Sequence, residues 1–403
     1  MRKSANWIIL ISSLFSSCTP RDDGGLAALD VFCEMVASDV KPIALHLPMD
    51  PSDLDKHWDS FLVVAEKNNV KLHREDDFPV TLLFPAELTE GMSVPLIYRG
   101  NRLQQYLQLK ADVKTADGKG DQALFARRFG RLLGYSPQGI NELLSENSGY
   151  RNLALFGVDQ QVTHLYYENL NEATAFYDTT LGFTEVESGK FQISSDAFIE
   201  LHPFNEAHPK GQTKSTAIAF LTDQLPEWYE YVQKQNIPIK YTYKPREGGP
   251  HDGFVAIDPG GYLLEFEQFK QHPENELFMA ALELAPRIVT SVNDLNFFGS
   301  ITWTYHNDLL KMQQFYEEVL GYQLVADQGW TKIYQTSSTG FIGLVDERRG
   351  MEDYADTKAV EIEWQVSDRE LFDAYARNFW EEYGFSNGTF MGPEKYVYRV
   401  LEK

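Results

Sequence analysis

One segment of this chain is written twice. Residues 162–183 read VTHLYYENLNEATAFYDTTLGF, and residues 301–322 read ITWTYHNDLLKMQQFYEEVLGY. Phe176-Tyr177 and Phe315-Tyr316 lie 139 residues apart, and Leu181-Gly182 and Leu320-Gly321 keep that interval. A repeat at this spacing means two units built alike. Each copy opens with the alternation of a half-buried strand, followed by a short amphipathic helix that ends at a glycine suited to a left-handed C-cap. In the first copy three short strand candidates follow, FTEVES, KFQIS and AFIELHP. The pattern then recurs inside each copy. TAIAFLTD leads into QLPEWYEYVQKQN and three further strands, and AVEIEWQVSD leads into RELFDAYARNFWEEYG. The expected fold is α+β: tandem paired βαβββ modules at 160–270 and 297–403, joined by a linker at 271–296 that carries one helix.

Ahead of the repeat, residues 25–150 read as a mixed α/β domain of unknown role. DPSDLDKHWDSFLVVAEKNN has a capped amphipathic helix, PVTLLFP and VPLIYRG are strand candidates, and a helix pair breaks at Gly134-Tyr135-Ser136-Pro137. The first residues have another character. Arg2 and Lys3 precede an apolar run from Trp7 to Phe15, too short for the roughly 20 residues a membrane span needs. Ser16-Ser17 before Cys18 completes what resembles a bacterial lipoprotein signal over residues 1–18. That resemblance implies a lipidated Cys18, a membrane anchor, and a place in the cell envelope, on the periplasmic side of the outer membrane or at the surface. An uncleaved or plain signal peptide is the alternative. The other cysteine, Cys33, lies in an apolar-periodic helix and reads as a buried small hydrophobe. The net charge of −23 repels phosphate backbones, so nucleic acid is not expected as a partner. Oligomerisation stays open.

The repeat, together with FIELHP and AIDPGGYLLEFEQF, resembles the vicinal oxygen chelate superfamily, which includes glyoxalase I, extradiol dioxygenases and bleomycin-resistance proteins. The resemblance implies cup-shaped sheets of paired modules around a divalent metal, which chelates two neighbouring oxygens of a small molecule. Carried over residue by residue, it places metal ligands at His164 on the first strand, Glu200 on the fourth and Glu265 on the eighth. Glu265 doubles as a general base. The fifth-strand position falls on Ala217, which cannot bind a metal; His202, His208 or His251 are candidates to replace it. One imidazole with two carboxylates suits Zn, Fe, Mn, Ni or Co. Alternation places His164 with Tyr166, Phe198 with Glu200 and Leu263 with Glu265 on shared strand faces. A carboxylate in such a row needs a cation or a proton, and Arg246 or Lys214 could supply a salt bridge instead.

The second copy departs from the pattern. Trp303 stands at the His164 position and Gly343 at the Glu200 position, and no Asp-Pro-Gly turn closes it. Trp303, with Trp330 and Trp364, is expected to pack or line an apolar cup. If the modules exchange halves, Glu361 joins His164 and Glu200, and Glu265 faces Trp303. Tyr166, Phe198, His251, Trp303 and Glu361 are therefore pocket candidates. Three functions follow: a metal-dependent lyase or dioxygenase of the glyoxalase type, a resistance-type protein that captures a small molecule without chemistry, or a partner-binding structural lipoprotein.

Overall fold

A computed structural model describes residues 25–84, 86–116, 122–145, 147, 153–380 and 383–403. The chain divides into two units, 1–150 and 151–403. The expected signal segment and Cys18 lie outside the described residues. No helix among the described residues is long and apolar enough to cross a membrane.

The N-terminal unit holds helices α1 (Leu26–Ala37), α2 (Pro51–Lys67), α3 (Arg102–Ala116), α4 (Gln122–Leu132) and α5 (Pro137–Ser145) with strands β1 (Ile43–Leu45), β2 (Lys71–Glu75) and β3 (Val94–Tyr98). The strands pair in the order β1-β3-β2. Asp50 caps α2 by accepting from the Ser52 amide at 2.8 Å. Pro51 sits where a missing N–H costs nothing. Cys33 is fully buried on α1, and burial pushes its thiol up to about 11. The segment expected as a strand at 79–85 instead turns back on itself, with Thr81 and Phe84 exchanging backbone bonds of 3.0 and 3.1 Å.

The C-terminal unit contains four quarters, three of them βαβββ and the last βαββ among the described residues. The first is β4 (Val158–Tyr167), α6 (Leu170–Ala175), β5 (Thr184–Glu187), β6 (Lys190–Gln192) and β7 (Ala197–Pro203). The second is β8 (Thr216–Leu221), α7 (Leu225–Lys234), β9 (Ile239–Tyr241), β10 (His251–Ile257) and β11 (Leu263–Phe269). The linker carries α8 (Glu276–Leu282) and the short pair β12 (Ile288–Val289) and β13 (Asn296–Phe297). The third quarter is β14 (Gly299–His306), α9 (Leu309–Gln314), β15 (Gln323–Asp327), β16 (Thr331–Gln335) and β17 (Gly340–Asp346). The last is β18 (Val360–Val366), α10 (Arg369–Phe379), β19 (Thr389–Met391) and β20 (Val397–Glu402).

These quarters do not pair within the blocks 160–270 and 297–403. One seven-stranded sheet runs β19-β20-β18-β4-β7-β6-β5, joining the first quarter to the last. The other, eight-stranded, runs β15-β16-β17-β14-β8-β11-β10-β9, joining the second to the third. The halves are exchanged. Alternation fixes which face a residue takes, but it does not say which strand will be the neighbour. The sheets meet near a local two-fold axis, where Thr163 and its repeat counterpart Thr302 share a hydrogen bond of 2.6 Å.

One face of each sheet carries helices over a continuous aromatic and aliphatic core that includes Leu165, Phe220, Leu264, Trp228, Trp364 and Tyr398. Trp364 thus belongs to the helix side and lines neither cup. The opposite face of each sheet is a cup. The turn that closes the last quarter is present despite its changed sequence. Gly261 and Lys395 both take positive φ, 85° and 60°, one residue before a buried tyrosine. Tyr262 Oη donates to the Ala359 carbonyl and Tyr396 Oη to the Ser215 carbonyl, each at 2.6 Å. Gly-Pro-Glu-Lys therefore does the work of Asp-Pro-Gly-Gly. By this correspondence Arg399, three residues past Tyr396, is the counterpart of Glu265, three past Tyr262.

Candidate metal centre

Strand register assembles the first cup in rows. Lys190, Glu200, His164, Glu361 and Val397 stand opposite one another across β6, β7, β4, β18 and β20. The next row is Gln192, Phe198, Val162, Glu363 and Arg399. On the other side of His164, Tyr166 faces His202.

His164, Glu200 and His202 each offer one ligand atom, and the three atoms lie within 4.8 Å of one another. His164 Nδ1 is 2.8 Å from His202 Nε2 and 4.0 Å from Glu200 Oε2, while His202 Nε2 is 3.5 Å from Glu200 Oε1. His164 is almost fully buried, and Glu200 and His202 are half-buried toward the cup. Burial, then the neighbouring His164 and Arg399, push His202 down to about 4, which keeps its ring neutral and a lone pair available.

The other nitrogen of His164 is anchored. Nε2 lies 3.1 Å from Glu363 Oε2, a buried carboxylate that also accepts from Gln365 at 2.9 Å. Burial raises the Glu363 carboxyl, but the His164 bond and charge together with Gln365 outweigh it and leave it below its ordinary value. An ionised carboxylate only accepts, so Nε2 carries a hydrogen, and Nδ1 is the nitrogen left to offer a lone pair to a metal between Glu200 and His202. A carboxylate that fixes the tautomer of a ligand histidine is the usual outer support of a metal site. The donor set, the tautomer and the support all fit a divalent transition metal.

Glu361 is placed beside His164 but is tied elsewhere. It pairs with Arg399 and lies 3.0 Å from His208 Nε2. Burial opposes its ionisation, yet the His208 bond and the Arg399 charge leave it below the ordinary value. Tyr166 stacks on His208 at 3.7 Å between ring centres. Phe198 lies under the Lys190 ammonium at 4.9 Å.

The structure does not bring Glu265 to His164. β11 pairs with β8, and β8 with β14, so Glu265 lies opposite Ala219 in the second cup. There Trp303 is paired to Ala217 on one side and to Gly343 on the other, and a Cβ at 343 would collide with its indole. Glu265 and its strand neighbour Glu267 are buried together. Burial lifts Glu265 to about 7, and burial plus the Glu265 charge lift Glu267 well above its usual value. Helix α8 packs on this cup: Phe278 meets Phe269 and Phe341 edge-on at 4.6 and 4.8 Å. His251 starts β10 in the same sheet, packs on Phe269, and does not cover the first cup. Lys214 sits 3.9 Å over the Tyr262 ring and Arg246 bonds Asp252 through its backbone, so neither neutralises Glu200 or Glu265 by a salt bridge. Two surface cavities lie elsewhere, one of 540 Å³ in the N-terminal unit beside Arg102 and Arg128, the other of 730 Å³ beside Phe390 and Met391.

His202 and Glu363 carry signals that the alternation offers: each stands two residues beyond a residue already singled out, Glu200 or Glu361, and so shares its face. Arg399 carries none without the turn correspondence.

Residues 159–266 match the family described as Glyoxalase/Bleomycin resistance protein/Dioxygenase superfamily. That segment carries the superfamily's sequence pattern, and each of the two sheets joins two quarters. Similar solved structures include a provisionally assigned dioxygenase from Bacillus subtilis, at 17% identity and TM-score 0.42, covering 62% of this chain and 86% of that one. Glyoxalase I from Zea mays matches at 16% identity and TM-score 0.40, covering 60% and 91%. A protein from the mobile metagenome of V. Pseudocholerae matches at 27% identity and TM-score 0.23, covering 27% and 92%. No curated protein matches the chain.

Proposed function

We propose that the cup built by the first and last quarters binds a divalent metal through His164, Glu200 and His202 and uses it to hold a small molecule. The observation that carries this reading is the buried Glu363, which fixes the His164 tautomer so that Nδ1 points into the ligand cluster. When bound, such a metal supplies Lewis acidity to ligand oxygens. The chain's own residues do the rest. Glu363 orients His164, the Tyr166 ring with His202 and His208 walls one side, and Phe198 with the Lys190 stem walls the other. The expected general base has no counterpart here, because Arg399 occupies the position that Glu265 holds in the other sheet. That favours capture of the small molecule over glyoxalase- or dioxygenase-type turnover. The lipoprotein-like residues 1–18 support a further proposal, that this cup works on the outer side of a membrane, tethered by lipid at Cys18.

The test is calorimetric. The chain lacking residues 1–18, stripped of metal and titrated with Co(II), is expected to take up one equivalent and then to bind catechol, a neutral molecule with two neighbouring oxygens. His164→Ala and His202→Ala are expected to abolish both events. Catechol binding that is equal with and without metal would overturn the reading.

A further inference from the structure

The first cup has a charge pattern that metal ligation leaves unexplained. Arg399 stands on β20, on the cup face, at the position corresponding to Glu265 of the other sheet. Its side chain is 35% exposed, and its partner among the described residues is Glu361, reached through Nη2. A guanidinium carries five N–H donors, so most of this fork is uncommitted. Glu361 is also shared. His208 places Nε2 3.0 Å from Glu361 Oε1 and Nδ1 3.0 Å from the Lys358 carbonyl, and both partners are acceptors. Both ring nitrogens of His208 thus face acceptors, and the ring is held against Glu361. Shared between Arg399 and His208, Glu361 holds the guanidinium in place while engaging only part of its donors.

The balance can be drawn for the whole cup. Glu200, Glu361 and Glu363 face Lys190 and Arg399, three formal negative charges against two positive. A divalent metal would add two positive charges and turn the balance positive, and a half-buried site with that surplus favours an anion. Arg399 lies two strands from His164, about 10 Å across the sheet. The width of one aromatic ring bridges that gap once the ligand oxygens are held at the histidines and the Arg399 side chain reaches inward.

We propose that Arg399 receives a carboxylate-class group on the small molecule bound in this cup, and so selects acidic ligands over neutral ones. Resting on the metal-cup reading, this adds a substrate class to it. Glu361 and His208 are positioning residues for the guanidinium.

Calorimetry on the cobalt-loaded chain lacking residues 1–18 tests the proposal with three probes: catechol, 3,4-dihydroxybenzoate and 3,4-dihydroxybenzamide. The acid is expected to bind about tenfold to a hundredfold more tightly than catechol, as a charged hydrogen bond at a partly desolvated site allows. The amide, matched in shape but neutral, is expected to bind like catechol. Arg399→Gln should erase the preference for the acid while catechol affinity stays within about twofold, and Arg399→Lys should keep part of it. The comparison of acid with amide needs no variant, so it stands even if Arg399→Gln folds poorly. Equal binding of acid and amide, or a preference that survives Arg399→Gln, would overturn the proposal. Failure of all three probes to bind would instead remove the metal reading on which it rests.

Discussion

The two cups come from one repeated plan and differ in what fills them. In the first, His164, Glu200, Glu361 and Arg399 occupy four corresponding positions, and all four are polar. In the second the same positions hold Trp303, Gly343, Ala217 and Glu265. The indole takes the space of both a histidine and a glutamate, and helix α8 covers the apolar face beside it. The second cup is filled by its own side chains. A cup lined with fixed charges is organised for something to bind. The difference assigns the proposed ligand site to the sheet formed by the chain's first and last quarters.

The comparison can be broken from its packed side first. Trp303→Ala removes a 6%-exposed side chain between strands and is expected to destabilise the C-terminal unit by about 3–5 kcal/mol. Chemical denaturation should show that loss while Co(II) affinity is retained. A matching loss of metal affinity would mean that the cups are not separate sites.

Glu363→Gln comes next in size. A glutamine amide can donate to Nε2 and favour the tautomer that occupies Nδ1, so Co(II) affinity should fall by about 10- to 100-fold. A competition titration with a chelator measures it, and unchanged affinity would remove the support role given to Glu363.

The smallest effect is the pH response of the second cup. Glu265 and Glu267 have raised folded values, so the folded chain holds protons that the unfolded chain releases above the ordinary carboxyl range. Stability from this pair is fully present below about pH 4.5 and is lost as pH rises through about 7. Each proton so linked costs about 1.4 kcal/mol per pH unit, or about 3–5 °C in Tm for a unit of this size. Glu267→Gln should flatten the slope, as read by scanning calorimetry between pH 5 and 8. A slope unchanged in that variant would assign the response elsewhere.

Much of this organisation could be read from residue order. The 139-residue interval located both first strands and both helices, alternation gave His164 and Glu200 their strand faces, and Glu361 joins them through the exchange of halves. What it left undecided was partnership between strands. Glu265 joins His164 only if β11 shares its sheet, and that depends on backbone pairing, which side-chain periodicity does not encode. The closing turn of the last quarter was hidden for a different reason. Lys395 adopts the left-handed conformation that glycine takes at Gly261, so the turn persists without its glycine signature. Arg399 has its counterpart in Glu265 only through the correspondence of the two turns.

Anomalous diffraction from crystals grown with cobalt, collected at the metal edge, tests the contrast between the cups most directly. One peak bounded by His164, Glu200 and His202 is the predicted result, with none near Trp303. A peak at Glu265 and Glu267, or no peak in the first cup, would contradict the account.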